Sequence, residues 1–275
     1  MSNTFLPGEI AKTLSRVGAR VLQPALAPFP KFTTVLEIEN DPVALDSVVA
    51  LASAPTATRS YARGDVPDFS TSGCALSPVS FAHRLYVQAF EISNSDLQSG
   101  GRLEWLGTIN AIALAQTLTD TICALLTPGN FGAPVVTASA TNFGQSDFDS
   151  LLSGISSPSR AAVLDTSYFC KVKPTWLPVG FNSVFEMSRW NSAASNVHGI
   201  IADPKAILLR VGIPMLMPRG AEVVARELTE LPAVGLICET AVWTTLATRS
   251  ISASFSLYFA ASVGDPAALK LLSSG

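Results

Sequence analysis

Apolar side chains first recur in this chain at Ile10, Leu14, Val17 and Val21, a helical spacing that predicts an amphipathic helix over Glu9 to Gln23. Pro24, Pro28 and Pro30 follow and are expected to stop it. A short helix and a proline-punctuated extension have little of their own to bury. Residues 1–43 therefore read as an arm that lies on something else, a neighbouring subunit above all. Residues 44–77 are rich in Ser, Thr, Ala and Gly; Val48, Val49 and Leu51 predict a strand, and Arg63-Gly64-Asp65 a turn. The stretch reads as a long two-stranded excursion, either a docking loop or a floppy surface one.

Alternation returns from Val79 to Ile92, where Phe81, Leu85, Val87 and Ala89 interleave with Arg84, Tyr86 and Gln88. A long helix then opens at Ser99-Gly100-Gly101. Its stripe of Leu103, Leu106, Ile109, Ala113, Leu114, Leu118, Ile122 and Leu125 ends at Thr127-Pro128-Gly129, a stop signal. Shorter elements follow. Asp147 to Ile155 reads as a helix capped by Ser146, Arg160 to Leu164 as a strand, and Asp165 to Val172 as a short helix. Ala206 to Val211 and Val234 to Cys238 read as buried strands. Ile251, Ala253, Phe255, Leu257 and Phe259 alternate with Ser252, Ser254, Ser256 and Tyr258, which predicts a closing strand with an apolar face and a polar one.

Composition changes what this α+β pattern means. Only 14% of residues are charged while 48% are hydrophobic, and the mean hydropathy is +0.36. A typical domain carries roughly 25% charged residues. A membrane or further subunits must cover the excess apolar surface. The apolar run from Ile109 to Leu126 is interrupted by Asn110, Gln116, Thr117, Thr119, Asp120 and Thr121, and Val234 to Ala247 is broken by Glu239. Met1 to Glu9 lacks the basic cluster and apolar core of a signal peptide. Large subunit contacts, and no membrane, are the expectation. The net charge of −3 is not that of a chain built to grip phosphates.

Routes to chemistry come up empty. Cys74, Cys123, Cys170 and Cys238 are scattered and lie at no ligand spacing from His83 or His198, so no metal site is expected, and the thiols fit a reducing compartment. GxSxG, GxxxxGK[ST] and GxGxxG are absent. Ser195, His198 and Asp203 can be drawn as a triad, but no elbow presents the serine. His83 reads as a structural strand residue. Asp147 and Asp149 face different ways on a helix, and helix-start electrostatics explains them better than acid–base work. Neither an enzyme nor a cofactor is expected.

The order of elements resembles one family. Leu45 to Tyr61, with Ala54-Pro55, is similar to the extended loop of tailed-bacteriophage major capsid proteins of the Hong Kong 97 fold. Ser80 to Gly101 and the helix to Pro128 resemble its peripheral strand and spine helix. Arg160 to Asp165, Gly199 to Ile207, and Ile251 to Val263 followed by Asp265-Pro266-Ala267-Ala268-Leu269 resemble axial and closing segments. The resemblance implies an N-terminal arm (1–43), an extended loop (44–77), a peripheral domain with a long spine helix (78–128, returning at 250–275) and an axial domain (129–249). It implies pentamers and hexamers of this chain closing into an icosahedral shell around double-stranded DNA, assembled in the bacterial host cytoplasm. A portal belongs to that picture, as does a separate scaffolding protein, since no long N-terminal extension is present. Inter-subunit contacts are expected at Ile10, Leu14, Val17, Val21, Arg59, Tyr61, Arg63 and Asp65. Residues 44–77 contain no lysine, so a covalent lysine–asparagine weld of the shell is not expected. An encapsulin-type nanocompartment shell is the alternative that resembles the same fold.

Overall fold

The structure, a computed structural model, describes residues 6–39, 46–52, 76–82, 84–97, 99–179, 181, 183–188, 190, 196–216, 218, 220–232, 234–245 and 250–275. Chain order begins α1 (Pro7–Leu26), β1 (Thr33–Glu39), β2 (Asp46–Ala52), β3 (Leu76–Ala82), β4 (Arg84–Ile92), α2 (Asn94–Leu97), α3 (Gly100–Cys123) and α4 (Pro128–Phe131). It continues with β5 (Val136–Thr137), α5 (Gln145–Ser153), β6 (Ala161–Leu164), α6 (Thr166–Phe169), β7 (Val184–Glu186) and β8 (Val197–Ala202). It ends with β9 (Ile207–Gly212), β10 (Ala221–Leu231), β11 (Leu236–Thr245), β12 (Ile251–Val263) and β13 (Leu269–Ser273).

Three sheets organise these elements. The six-stranded sheet runs β1-β9-β12-β11-β10, with β4 also on β12. β1 lies parallel to β9, and the other pairs are antiparallel. The five-stranded sheet runs β5-β13-β8-β6-β7, and β2 with β3 forms a separate ribbon. One core joins α1, α3 and the apolar face of the six-stranded sheet, centred on Leu14, Leu114, Phe255 and Phe259. A second core lies between α5, α6 and the five-stranded sheet, around Phe148, Leu151, Tyr168 and Ile201.

The first helix departs from the sequence reading. It starts at Pro7, with Glu9 Oε2 accepting from the Leu6 amide at 3.2 Å, and continues through Pro24 to Leu26. Proline removes one helical donor. Leu22 and Leu26, both fully buried, hold the last turn on the core in spite of that loss. The helix lies across α3 and reaches β10 and β11, so the segment packs on its own body. Gly107 is the close-approach point on α3: a Cβ there would sit 2.8 Å from Leu14 Cδ2 and 3.3 Å from Val17 Cγ1.

Other boundaries move for local reasons. The run from Val79 to Ile92 is two strands, β3 on the ribbon and β4 on the main sheet. α3 ends at Cys123 and tightens through Leu125 N–H to Ile122 and Leu126 N–H to Cys123. Thr127 then caps α4, its hydroxyl accepting from the Asn130 amide at 3.3 Å, with Pro128 as the first helical residue. Pro128 begins a helix there, a position where its missing N–H costs nothing. α5 starts two residues early, with Gly144 as cap and Asp147 accepting from its amide at 2.9 Å; Ser146 is inside the helix. β11 begins after Val234-Gly235, a turn with Gly235 at φ +67°, and runs to Thr245.

The closing strand is the central strand of its sheet. β12 pairs β11 along one edge and β4, then β9, along the other. Both of its faces are buried, so the serine side is not solvated: Ser254 and Ser256 are as inaccessible as Phe255 and Leu257. Ser256 donates to the buried Glu239 carboxylate at 2.9 Å, and the Leu216 amide reaches the same oxygen at 2.9 Å. Leu216, in the segment after β9, thus meets this polar face through Glu239.

Candidate assembly surfaces

The structure splits the eight expected contact residues into two sets. Ile10, Leu14 and Val17 are buried inside the chain and Val21 is half-buried against the same core. Their periodicity was legible; the surface they cover is α3 and the sheet of the same chain, which corrects the expectation that they contact a neighbour. Arg59, Tyr61, Arg63 and Asp65 lie outside the described residues, as do Cys74, His83 and Ser195.

Of the residues considered for chemistry, the two described ones, His198 and Asp203, do not pair with each other. His198 Nδ1 meets Asp165 Oδ2 at 2.7 Å, and Asp203 instead accepts from Ser157 and from the Lys205 amide at 3.3 Å. The Asp165 pairing is long-range and comes from the β6–β8 register, in which the Asp165 amide donates to the His198 carbonyl at 2.9 Å. No sequence spacing announces it. Burial raises the Asp165 carboxyl, but hydrogen bonds from the Ser167 hydroxyl, His198 and the Ser167 and Tyr168 amides outweigh burial and hold it below its ordinary value. That makes Asp165 the cap of α6. Cys238 is buried, and desolvation pushes its thiol up to about 12, which keeps it unreactive. Among the described residues no cluster of three or more metal-ligating side chains occurs, and no helix is long and apolar enough to cross a membrane.

What the described residues do offer is unpaired sheet edge and exposed apolar side chains. β10 ends the six-stranded sheet with no further strand on it among the described residues. It presents Val224 and the 54% exposed Leu228, flanked by exposed Glu222 and Glu230. A bare eleven-residue edge is an association hazard unless charges blunt it or a partner covers it. β4 carries exposed Leu85 and Val87, and α3 carries Ile109 and Trp105, the latter 66% exposed. The ribbon of β2 and β3 is anchored at its root, where buried Phe81 meets Leu208 and Ala260. No signal in the sequence separated β10 from its surroundings, because its core side is interrupted by a bulge between Val223 and Ala225.

Comparison with known proteins agrees on the fold. No protein-family model matches the chain, and no curated protein sequence does. Among solved structures, a virus-like particle from Pyrococcus furiosus is similar with a TM-score of 0.55 and 11% identity, over 96% of this chain and 97% of that one. The capsid of an empty GTA particle is similar with a TM-score of 0.54 and 13% identity, over 90% of each chain. The similarity spans 96% and 90% of this chain, at identities where only architecture persists. The chain thus shares the mixed α+β fold of those two shell-particle chains.

Proposed function

We propose that this chain is a structural shell protein, the major capsid protein of a tailed bacteriophage. It forms pentamers and hexamers that close into an icosahedral shell around double-stranded DNA. The observation that carries this reading is end-to-end similarity to two shell particles in a chain that leaves a long sheet edge and a rim of apolar side chains uncovered. Each contact can be weak, because closing a shell makes later contacts effectively intramolecular. The extended loop, 44–77, and the described edges of β4 and β10 are the proposed contact regions. A scaffolding protein and a portal are the proposed partners in assembly, inside the bacterial cytoplasm.

The test is direct. The purified chain, concentrated alone and with its scaffold, is examined by sedimentation and negative-stain microscopy. Rings and closed shells are expected; a species that stays at 28.9 kDa at high concentration overturns the proposal.

An encapsulin-type nanocompartment shell is the second reading. It is favoured by the match to the virus-like particle, which leaves almost none of that chain unmatched. It also gains from α1, whose packing on its own body removes the free arm that the phage reading expected. Neighbouring genes separate the two: terminase and portal for a phage, a cargo enzyme for a compartment.

A further inference from the structure

We propose that the exposed face of α1 is a binding surface for the phosphodiester backbone of a nucleic acid. Lys12, Arg16 and Arg20 stand four residues apart and all three are exposed. On a helix that spacing places them within about 80° of arc and along about 12 Å. The opposite face of the same helix carries Ile10, Leu14, Val17 and Leu22 into the core, so the orientation of the three cations is fixed by packing.

The placement is particular to this helix. The chain as a whole is acidic, with a net charge of −3. α3, the longest helix, carries Arg102, Glu104 and Asp120, and α5 carries Asp147 and Asp149. α1 sets three cations against one carboxylate, and that one, Glu9, is turned back onto the Leu6 amide at the helix start. Among the described residues Lys12 and Arg16 have no ion pair. Arg20 lies 3.7 Å from Glu104 with both side chains half exposed or more, a pair that water and salt screen heavily.

Phosphate is the chemistry that fits. A protein partner needs an apolar anchor at the centre of its contact. Between Lys12 and Arg20 the outer face of α1 exposes no large apolar side chain. A regular row of cations without such an anchor recognises repeated negative charge and reads no sequence. The proposal builds on the shell reading, which supplies an enclosed nucleic acid, and it requires the exposed face of α1 to line the lumen.

The experiment uses the unassembled full-length chain and a short random-sequence DNA duplex, with fluorescence anisotropy at several salt concentrations. The variant combines Lys12→Gln, Arg16→Gln and Arg20→Gln, which keep helix propensity. The control combines Lys171→Gln and Lys173→Gln, two exposed lysines elsewhere. Losing the stripe should flatten the slope of log affinity against log salt by about 2–3 and weaken binding at least tenfold at low salt. The control should change little, and both should melt like the wild type. Equal binding by wild type and stripe variant overturns the proposal. Poly-glutamate that competes as well as duplex at equal charge overturns it in favour of an acidic protein partner. Shell formation is scored separately by microscopy. Shells with unchanged duplex binding sink this surface and leave the shell reading standing; stripe-dependent binding by a chain that never assembles does the reverse.

Discussion

α1 and the β2–β3 ribbon stand on either side of β1, and each looks short of partners in the sequence. The fold treats them in opposite ways. α1 brings one apolar stripe and packs it on α3 and the main sheet. The ribbon is two strands with no third beside them among the described residues, and its described attachment to the body is the cluster at Phe81. A two-stranded ribbon gains little stability alone. The lesson is that a periodic stripe says how much surface must be covered and not whose surface covers it.

The comparison breaks most visibly by deletion. Removing residues 1–26 should unfold the chain, because it bares the α3 and sheet side chains that α1 covers. Replacing residues 53–75 by a short Gly-Ser turn should leave the melting temperature within a few degrees and abolish assembly. Circular dichroism melts and sedimentation read both, and a folded chain without α1 would undo the distinction. Next in size, Leu14→Ala should cost about 2–5 kcal/mol in urea unfolding, as for a fully buried leucine whose neighbours collapse incompletely. A cost near zero would mean that α1 leaves the body in solution.

Glu239→Ala tests the other face of the same sheet. Its carboxylate receives the Ser256 hydroxyl and the Leu216 amide and lies 3.5 Å from Arg226. Its loss should cost about 2–3 kcal/mol and loosen the segment after β9, with the urea midpoint and amide exchange of Leu216 as readouts. Asp165→Asn is the smallest effect, about 1 kcal/mol at most, given partial solvent access. Since folding lowers this carboxyl below its ordinary 3.8, its contribution is complete above that value and fades as pH falls through the folded one. Wild type and variant should therefore differ at neutral pH and converge in acid; a gap that widens on acidification reverses the sign of the argument.

Much of the architecture was legible because period and punctuation are local. The stripes of α1 and α3, the strand at Arg160 to Leu164 and the alternation in β12 all follow from spacing. The misses have physical causes. Pro24 fails to stop α1 because Leu22 and Leu26 are held by tertiary burial. Pro128 starts a helix because Thr127 precedes it as a cap. Ser256 in β12 is buried because the Glu239 carboxylate takes its hydroxyl, a contact with no local signature. Of the expected contact residues, the helical set was assigned to the wrong surface, since periodicity carries no address. The cations at Lys12, Arg16 and Arg20 were individually visible, but only the fixed orientation of α1 sets them in one row.

β12 also imposes an order on synthesis. Every strand that it pairs with, β4, β9 and β11, precedes it in the chain. A nascent polypeptide emerging from the ribosome can make α1, α3 and the β10–β11 hairpin, yet the halves of its principal sheet stay apart until β12 emerges. The principal sheet is therefore completed late, by a strand that must find three partners made before it.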